Sequence, residues 1–458
     1  MPCNRSAAVP GRDSTRRTAP LLSLLALLSL AIALLIWGFS LAQSIERPSV
    51  GNVLEQRQLE LEVLAERDGG RELLPTGPVP PEQQLLRTLQ QSPRAGSSDS
   101  LLAQALLEDS LGLVDQSRRH LNTVIKSGPA DLRPLAETLL APQLDQQPLP
   151  PLPDRPLYRL LVCDALKLPA DACVSTATLR WASWRLVLVN LLPLFGVLAG
   201  GVLLLQQLWK RWRRQQPVAP ELRGPDLTIT ETVLLIAGGF VVLGGLVTPL
   251  LAMPILGTIL DGISLTPALR AALEVLILYS VAALPALGVL ALLLRERPAG
   301  EGRWLQWQPS WQCWPQALRG LLMSLPLVAL LGWLVERFWP DAGGSNPLLE
   351  EVLNGRSGVA ILFLAFTATV LAPLFEEVLF RGVLLPVVGR RWGIPAGIGV
   401  SALVFALAHL SLSEAPPLFA LGVGLGWLRW STGRLFSSVA MHGLWNGLTF
   451  VNLLLLGS

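Results

Sequence analysis

Long apolar runs separated by short polar or basic stretches set the pattern of this chain. A helix needs about 20 apolar residues to cross the hydrocarbon core of a bilayer, and most of the runs reach that length. They predict an all-α polytopic membrane protein with about eight to nine membrane segments and one extracytoplasmic helical insertion. The segments are Leu21–Ala42, Leu186–Leu208, Thr230–Ala252, Ala271–Leu294, Leu318–Val335, 357–388, 394–411, 417–430 (short for a span) and 436–456.

Basic residues beside the apolar runs predict the orientation of the chain. Four arginines between positions 5 and 17 precede the first run, and a basic patch at 210–214 follows the second. Because Lys and Arg accumulate on the cytoplasmic side, both clusters are predicted to be cytoplasmic and the segment between the runs extracytoplasmic. The first run, about 22 residues long, exceeds the apolar core of a signal peptide, so we interpret it as a membrane anchor.

The polar segment 44–183 carries leucines at helical spacing, as in Asn52–Glu66 and Asp99–Ile125, and shows no catalytic pattern. His120, beside two arginines, is predicted to lie on solvated surface. Cys163 and Cys173 are ten residues apart. Outside the cytoplasm such a pair can form a disulfide, and two buried free thiols are the alternative. Cys3 and Cys313 fall on the predicted cytoplasmic side and should be reduced.

A loop rich in tryptophan lies between two of the later runs. The spacing of three to four residues predicts one helix face that suits the membrane interface, with a partner-binding surface as the alternative. The loop contains Trp304, Trp307, Trp311 and Trp314. The chain is thus divided into 1–43 (cytoplasmic tail and N-terminal anchor), 44–183 (extracytoplasmic segment), 184–317 (membrane spans with the cytoplasmic Trp-rich loop) and 318–458 (C-terminal membrane domain).

The amino-acid composition agrees with that of a membrane protein. Hydrophobic residues make up 51% of the chain and charged residues 15%, whereas soluble domains are about 25% charged. A net charge of +3 is too small to indicate a nucleic-acid partner. The basic-inside pattern, with no eukaryotic sorting signal in sight, predicts a multi-pass protein of a bacterial plasma membrane, with lipid as its surroundings.

The candidate chemistry begins with two adjacent carboxylates in an apolar setting. Glu376 and Glu377 precede Arg381, which lies four residues after Glu377 and therefore on the same helix face. Ionisable residues inside a bilayer are costly and usually have partners and functions. We predict that Arg381 neutralises Glu377, which leaves Glu376 as a general base. The alternative is a solvated Glu–Arg pair at an interfacial helix end.

Two further motifs place imidazoles in the C-terminal segments. His409 follows Phe405 by four residues, and His442 and Asn446 are four apart on one helix face. Each motif alone is weak, because a lone buried histidine is more often a packed residue than a catalyst. Together they put an acid, a base, imidazoles and an amide into one 71-residue stretch, as water activation with oxyanion or metal binding requires. By depth along its helix, His409 fits a common mid-membrane band worst.

The three ordered motifs Glu-Glu-x-x-x-Arg, Phe-x-x-x-His and His-x-x-x-Asn resemble those of the CPBP family, the intramembrane proteases related to CAAX prenyl endopeptidases and bacteriocin-processing (Abi) proteins. The resemblance covers about 357–456 and makes 318–458 a CPBP-like catalytic domain. It implies an endopeptidase that cleaves a membrane-associated protein or peptide. It assigns water activation to Glu376, assistance to His409 and oxyanion binding to His442 and Asn446, with Glu377 and Arg381 completing the first motif.

The resemblance leaves the cofactor open. The family is called metalloprotease by convention, so Zn²⁺ held by Glu376, His409 and His442 is one mechanism, and a metal-free glutamate mechanism is the other. Two other protease signatures are missing from the sequence: it has no His-Glu-x-x-His and no pair of buried aspartates.

Two alternative functions remain. A proton-coupled transporter could use the same ionisable residues as a relay, with Gly238-Gly239 and Gly244-Gly245 permitting a broken helix, although no inverted repeat is found. A non-catalytic membrane scaffold that retains the motifs for packing is the second.

Overall fold

A computed structural model describes residues 19–45, 50–68, 79–92, 95–141, 151–213, 219–295, 304–339 and 357–457. Within these ranges all regular structure is helical, so the predicted all-α polytopic class is confirmed. The four N-terminal arginines and Cys3 lie outside the described residues. The membrane helices are α1 (Ala19–Ser44), α8 (Thr176–Trp212), α9 (Ile229–Asp261), α10 (Pro267–Arg295), α11 (Cys313–Phe338), α12 (Gly358–Trp392), α13 (Ile394–Leu407), α14 (Ala415–Thr432) and α15 (Leu435–Leu456).

All nine predicted apolar segments are helices, but not all of them are long enough to cross a membrane. Among the described residues seven helices are long and apolar enough to cross a membrane, namely α1, α8, α9, α10, α11, α12 and α15. Helix α13 has only 14 residues, and α14 has 18. Both pack closely in the bundle: a Cβ on Gly422 of α14 would lie 2.9 Å from Cα of Ala402 of α13. A side chain at that glycine would therefore push the two helices apart.

Three π-helical stretches interrupt the α-helical geometry of the membrane helices. One runs through Leu234–Val247 of α9, and two short ones in α12, Thr367–Leu371 and Val378–Leu384, flank Glu376 and Glu377 on both sides. A π turn inserts an extra residue into a helix, rotates the side chains that follow it and occurs often at functional sites. The carboxylate pair therefore lies on a short α-helical stretch between two π-helical segments whose side chains are rotated relative to a regular α-helix.

Six α-helices and one 3-10 turn fold the predicted extracytoplasmic segment. They enclose one apolar core built largely from leucine, into which the first part of α8 also packs. The helices are α2 (Val50–Arg67), α3 (Pro81–Gln91), α4 (Ser98–Ser110), α5 (Val114–Ser127), α6 (Arg133–Leu140) and α7 (Pro156–Ala165), with a 3-10 turn at Ala170–Ala172.

Two details of this segment bear on the sequence predictions. Cys163 and Cys173 form a disulfide with their Cα atoms 6.4 Å apart, so of the two alternatives the structure has the bridge. The prediction that His120 is merely solvated surface is wrong. Its Nδ1 lies 2.9 Å from Oε2 of Glu108, whose side chain is fully buried between α4 and α5. A buried carboxylate needs such a partner, and the imidazole supplies it.

The helical segment rests on the ends of the motif helices. Val53 and Leu54 of α2 pack in one cluster with Leu453 and Leu456 of α15. The buried Arg185 of α8 donates from Nε to the carbonyl of Leu455 at 2.6 Å and from Nη2 to that of Gly457 at 3.1 Å. Since the last carbonyls of a helix have no partner within the helix, Arg185 caps α15.

The four tryptophans of the predicted Trp-rich loop do not share a helix face, and that prediction is wrong. Helix α11 begins only at Cys313, and Gln306 and Gln308 have φ values of 48° and 32°, which a right-handed helix does not allow. Trp307 and Trp314 both contact the ring of Phe436, at centroid distances of 5.4 and 6.3 Å. The residues concerned are Trp304, Trp307, Trp311 and Trp314. Cys313 itself carries a free, buried thiol.

Candidate active site

The first motif forms a buried ion pair within one helix. Arg381 Nη1 donates to Oε1 of Glu377 at 2.8 Å, and neither side chain is exposed. Arg381 Nη2 donates to the carbonyl of Gly422 at 3.1 Å, and its guanidinium lies 4.6 Å from the centre of the Phe405 ring. The four-residue spacing brings the two charges together as predicted. In the bilayer interior each charge compensates for the cost of burying the other.

His442 of α15 connects the two carboxylates of α12. Its Nδ1 lies 3.0 Å from Oε1 of Glu377, and its Nε2 lies 3.9 Å from Oε2 of Glu376. Because Glu377 is paired with Arg381, its carboxylate accepts hydrogen bonds and His442 Nδ1 donates one. Nε2 is then the nitrogen that faces Glu376. The chain Arg381–Glu377–His442–Glu376 thus orients an imidazole toward a second carboxylate.

One carboxylate oxygen of Glu376 accepts a hydrogen bond, and the other has none among the described residues. Its Oε1 accepts a hydrogen bond from the phenol of Tyr279 at 2.9 Å. Its Oε2 has no hydrogen-bond partner among the described residues and faces the 3.9 Å gap to His442. The Glu376 side chain is 15% exposed, against 0% for Glu377. Of the two adjacent carboxylates, Glu376 therefore has the less buried side chain, and it has an oxygen that no hydrogen bond occupies among the described residues.

The charges of the four groups balance when His442 is protonated. The two carboxylates carry two negative charges, and Arg381 with an imidazolium carries two positive ones. With neutral imidazole the cluster carries one net negative charge. A carboxylate that faces an imidazole across 3.9 Å is the kind of pair that general acid–base chemistry uses.

His409 lies near this cluster without joining it. Its Nδ1 donates to the carbonyl of Phe405 at 2.9 Å, so its Nε2 carries no proton in the neutral ring. Its ring contacts that of Phe405 at 4.9 Å, and Phe405 also contacts His442 at 5.5 Å. Among the described residues no hydrogen bond or ion pair joins His409 to either glutamate. It sits just beyond the end of α13, which explains why its depth fits the band worst.

Asn446 is engaged in helix packing. Its Nδ2 donates to the carbonyl of Ala368 at 2.7 Å. The preceding bond of this π turn runs from the N–H of Ala372 to Thr367, so the next would run to Ala368 from residue 373, a proline without N–H. Asn446 thus satisfies a carbonyl that Pro373 leaves without a partner. Its second amide hydrogen is not committed to that bond.

The donor set does not form a metal cage. No group of three His, Cys, Asp or Glu side chains in the part of the chain that the structure describes could hold a metal ion. Glu376 and His442 face each other, but His442 Nδ1 is used by Glu377, and among the described residues no hydrogen bond or ion pair joins His409 to them. The residues as arranged do not fit the Zn²⁺ ligand set that the family name implies, so no step is derived through a metal.

Sequence reasoning missed Tyr279, which lies on α10, outside the motif segments. The chain has only two tyrosines, and this one lies near the middle of a 29-residue apolar helix. Tyrosines of membrane proteins usually lie at the interface, and a buried phenol needs a hydrogen-bond partner. A tyrosine in mid-helix is the sequence signal that could have pointed to a buried acceptor.

Comparisons with known proteins support the same region. Residues 358–448 match the model of the family described as type II CAAX prenyl endopeptidase Rce1-like. Residues 51–184 match a family described only as a domain of unknown function, DUF8675. A protein of Escherichia coli described as an uncharacterized 24.3 kDa protein is 31% identical over 106 residues, which cover 21% of this chain and 48% of that protein. The chain spans about half the length of this relative. No solved structure matches the chain.

Proposed function

We propose that the protein is an intramembrane endopeptidase that hydrolyses a membrane-associated protein or peptide with a water molecule activated by Glu376. The match of residues 358–448 to the Rce1-like family model supports the proposal. The observation that carries the proposal is the pair of unshared atoms, Glu376 Oε2 and His442 Nε2, facing each other at 3.9 Å inside the helix bundle. A separation beyond hydrogen-bond length between two polar atoms is one that a single water can bridge.

The first step is the attack of that water on the scissile carbonyl. Glu376 Oε2 takes a proton from the water, and the water oxygen bonds to the carbonyl carbon, whose electron pair moves to the carbonyl oxygen. General-base catalysis of this kind is worth about 10²–10⁴-fold. Glu376 then gives the proton to the leaving nitrogen as the C–N bond breaks, so one carboxylate serves as base and acid in turn.

His442 stabilises the negative oxygen of the tetrahedral intermediate. In its protonated form it donates from Nε2, while Glu377 accepts from Nδ1 and supports the positive charge. This is the arrangement by which a buried carboxylate orients a catalytic imidazole in hydrolases. Arg381 holds Glu377 ionised and in place. His409 and the second hydrogen of Asn446 are further donors or acceptors that a bound substrate could recruit, because catalytic contacts often tighten only in the complex.

The transporter alternative gains nothing from the glycine pairs. Helix α9 continues through both pairs without an unwound break, from Ile229 to Asp261. A Cβ on Gly239 would lie 3.2 Å from Cα of Ala286, and one on Gly244 would lie 2.5 Å from the carbonyl oxygen of Ala282. These glycines allow α9 and α10 to approach closely, which is a packing role.

The test needs a substrate and can discover one. Membranes of cells that express the full-length protein are compared with membranes that express Glu376→Gln, and new protein N-termini are profiled by mass spectrometry. Two quenched fluorescent peptides are assayed in parallel in proteoliposomes, one farnesylated with a CAAX terminus and one unmodified apolar transmembrane peptide. Glu274→Gln, the same change at an exposed ion pair on α10, is the matched control.

We expect N-termini that appear with wild type and with Glu274→Gln and disappear with Glu376→Gln. Cleavage of the farnesylated peptide alone would identify a prenylated substrate, and cleavage of the unmodified peptide would identify an ordinary membrane segment. Identical profiles for wild type and Glu376→Gln would refute the protease proposal.

A further inference from the structure

We propose that Tyr279 is a positioning residue of the active site, which holds Glu376 Oε1 so that Oε2 is the atom that takes the proton from water. The inference rests on the proposed endopeptidase function and extends the site beyond the residues that match the family. Tyr279 belongs to α10 (Pro267–Arg295), whereas the matched region begins at residue 358. Its phenol is the one side-chain group outside that region found in hydrogen-bond contact with Glu376 in the described structure.

The contact is held by packing on both sides. The Tyr279 ring meets Phe375 edge to face at 6.2 Å, and Phe375 meets Phe240 of α9 at 5.8 Å. Edge-to-face pairs of this kind fix ring orientation beyond simple burial. Phe375 immediately precedes Glu376, so the same contact anchors the backbone from which the carboxylate projects. The phenol and its acceptor are therefore positioned as a unit.

The helix spacing that brings the phenol to Glu376 also depends on small residues. Ala282 and Ala286 follow Tyr279 on α10 and meet Gly244 and Gly239 of α9 at backbone distance. Because a larger side chain at these positions would separate the helices, the small residues determine how deeply α10 sits in the bundle. The interdigitated surface places Tyr279 at the depth of the carboxylate.

The consequence for the chemistry is an asymmetric carboxylate. The phenol hydrogen stabilises the ionised form of Glu376 and occupies Oε1 at 2.9 Å. Oε2, without a hydrogen-bond partner among the described residues, then points toward His442. Without the phenol the carboxylate can rotate about its last torsion, which is broad, and exchange its two oxygens. Fixing that torsion in advance lowers the entropic cost of ordering the carboxylate for the attack.

The chain provides a matched control for the test. Its other tyrosine, Tyr158, also donates to a glutamate, Glu60 Oε1, at 3.0 Å, but within the helical segment 51–184. Tyr279→Phe and Tyr158→Phe each remove one hydroxyl from a Tyr–Glu hydrogen bond and keep the ring. A difference between the two variants therefore comes from the position of the lost hydrogen bond at the proposed active site, and not from the loss of any Tyr–Glu hydrogen bond.

The deciding experiment is infrared difference spectroscopy of the full-length protein in proteoliposomes, which needs no substrate. The carboxyl band that Glu376→Gln removes is compared in wild type, Tyr279→Phe and Tyr158→Phe, since loss of a hydrogen bond to a carboxyl oxygen shifts its stretching frequency. We expect the Glu376 band to shift in Tyr279→Phe and to stay in place in Tyr158→Phe. An unshifted band in Tyr279→Phe overturns the proposal.

Kinetics on the peptide that wild type cleaves separate this proposal from the proposed function. Tyr279→Phe should lower kcat by up to about 100-fold with KM nearly unchanged, since misplacement of a catalytic group costs rate and not binding. The acidic limb of its pH–rate profile should move to higher pH. Full activity in Tyr279→Phe together with an inactive Glu376→Gln would overturn the role of Tyr279 and leave the protease standing. An active Glu376→Gln would refute water activation by Glu376, whereas the infrared band would still decide the contact.

Discussion

The buried pair Glu377–Arg381 permits a prediction that separates stability from catalysis. Both side chains are completely buried, and Arg381 makes two hydrogen bonds, to Glu377 Oε1 and to the carbonyl of Gly422. Arg381→Met leaves an uncompensated buried carboxylate, which costs about 3–5 kcal/mol of unfolding free energy. The double variant Glu377→Gln/Arg381→Met has a nearly isosteric neutral pair, so most of that loss should return.

Activity should not return with stability. The glutamine can still accept from His442 Nδ1, but it does not support an imidazolium as the carboxylate does. We expect the double variant to fold nearly as well as wild type and to cleave about 10²–10⁴-fold more slowly. The assay pairs unfolding by SDS titration in mixed micelles with peptide cleavage in proteoliposomes.

The coupling energy decides whether this reasoning holds. From the two single variants and the double variant a double-mutant cycle gives the interaction between the side chains. It should be at least about 3 kcal/mol, because the second substitution restores most of the stability that Arg381→Met removes. Additive destabilisation would show that the pair is not the partner set described here. A stable and fully active double variant would show that Glu377 has no part in orienting His442.

Three further predictions concern the surroundings of the site. Arg185→Met removes the cap of α15 and should lower unfolding free energy by about 2–4 kcal/mol, together with activity, whereas Arg180→Met on the exposed side of the same helix should change neither. Burial raises the pKa of Glu414, just before α14, from 4.5 to about 7. The contribution of its protonated form to stability is therefore complete below pH 4.5 and lost as pH rises through about 7. Glu414→Gln should remove this pH dependence of the unfolding free energy. Cleavage should persist in a chelator, because the described donors form no metal cage; a lasting loss that zinc restores would contradict this.

Much of the fold follows from the sequence because the bilayer leaves few choices. Backbone groups in lipid must be satisfied within the segment, so each long apolar run becomes a helix, and all nine runs do. The spacing of Glu377 and Arg381 likewise fixes their contact, since residues four apart share a helix face. The disulfide between Cys163 and Cys173 was one of two open alternatives, because ten residues of separation permit a bridge without requiring one.

What could not be predicted depends on contacts between distant segments. Tyr279 reaches Glu376 across 97 positions of sequence, and Arg185 caps α15 from 270 positions away. The residue types and the resemblance both point to Asn446 as an oxyanion ligand. Its bond to Ala368 arises from a π turn next to Pro373, a backbone irregularity that side-chain periodicity does not reveal. The prediction for the tryptophan loop failed because two residues with positive φ interrupt a spacing that is typical of a helix.

The central claim is that Glu376 activates the attacking water, and single-turnover cleavage by the purified protein in proteoliposomes tests it most directly. Wild type, Glu376→Gln and the control Glu274→Gln are compared on one quenched peptide at saturating enzyme, so that differences in substrate binding and turnover do not enter. The account predicts that Glu274→Gln cleaves at the wild-type rate and that Glu376→Gln is slower by about 10²–10⁴-fold. A Glu376→Gln protein that cleaves as fast as wild type would contradict it.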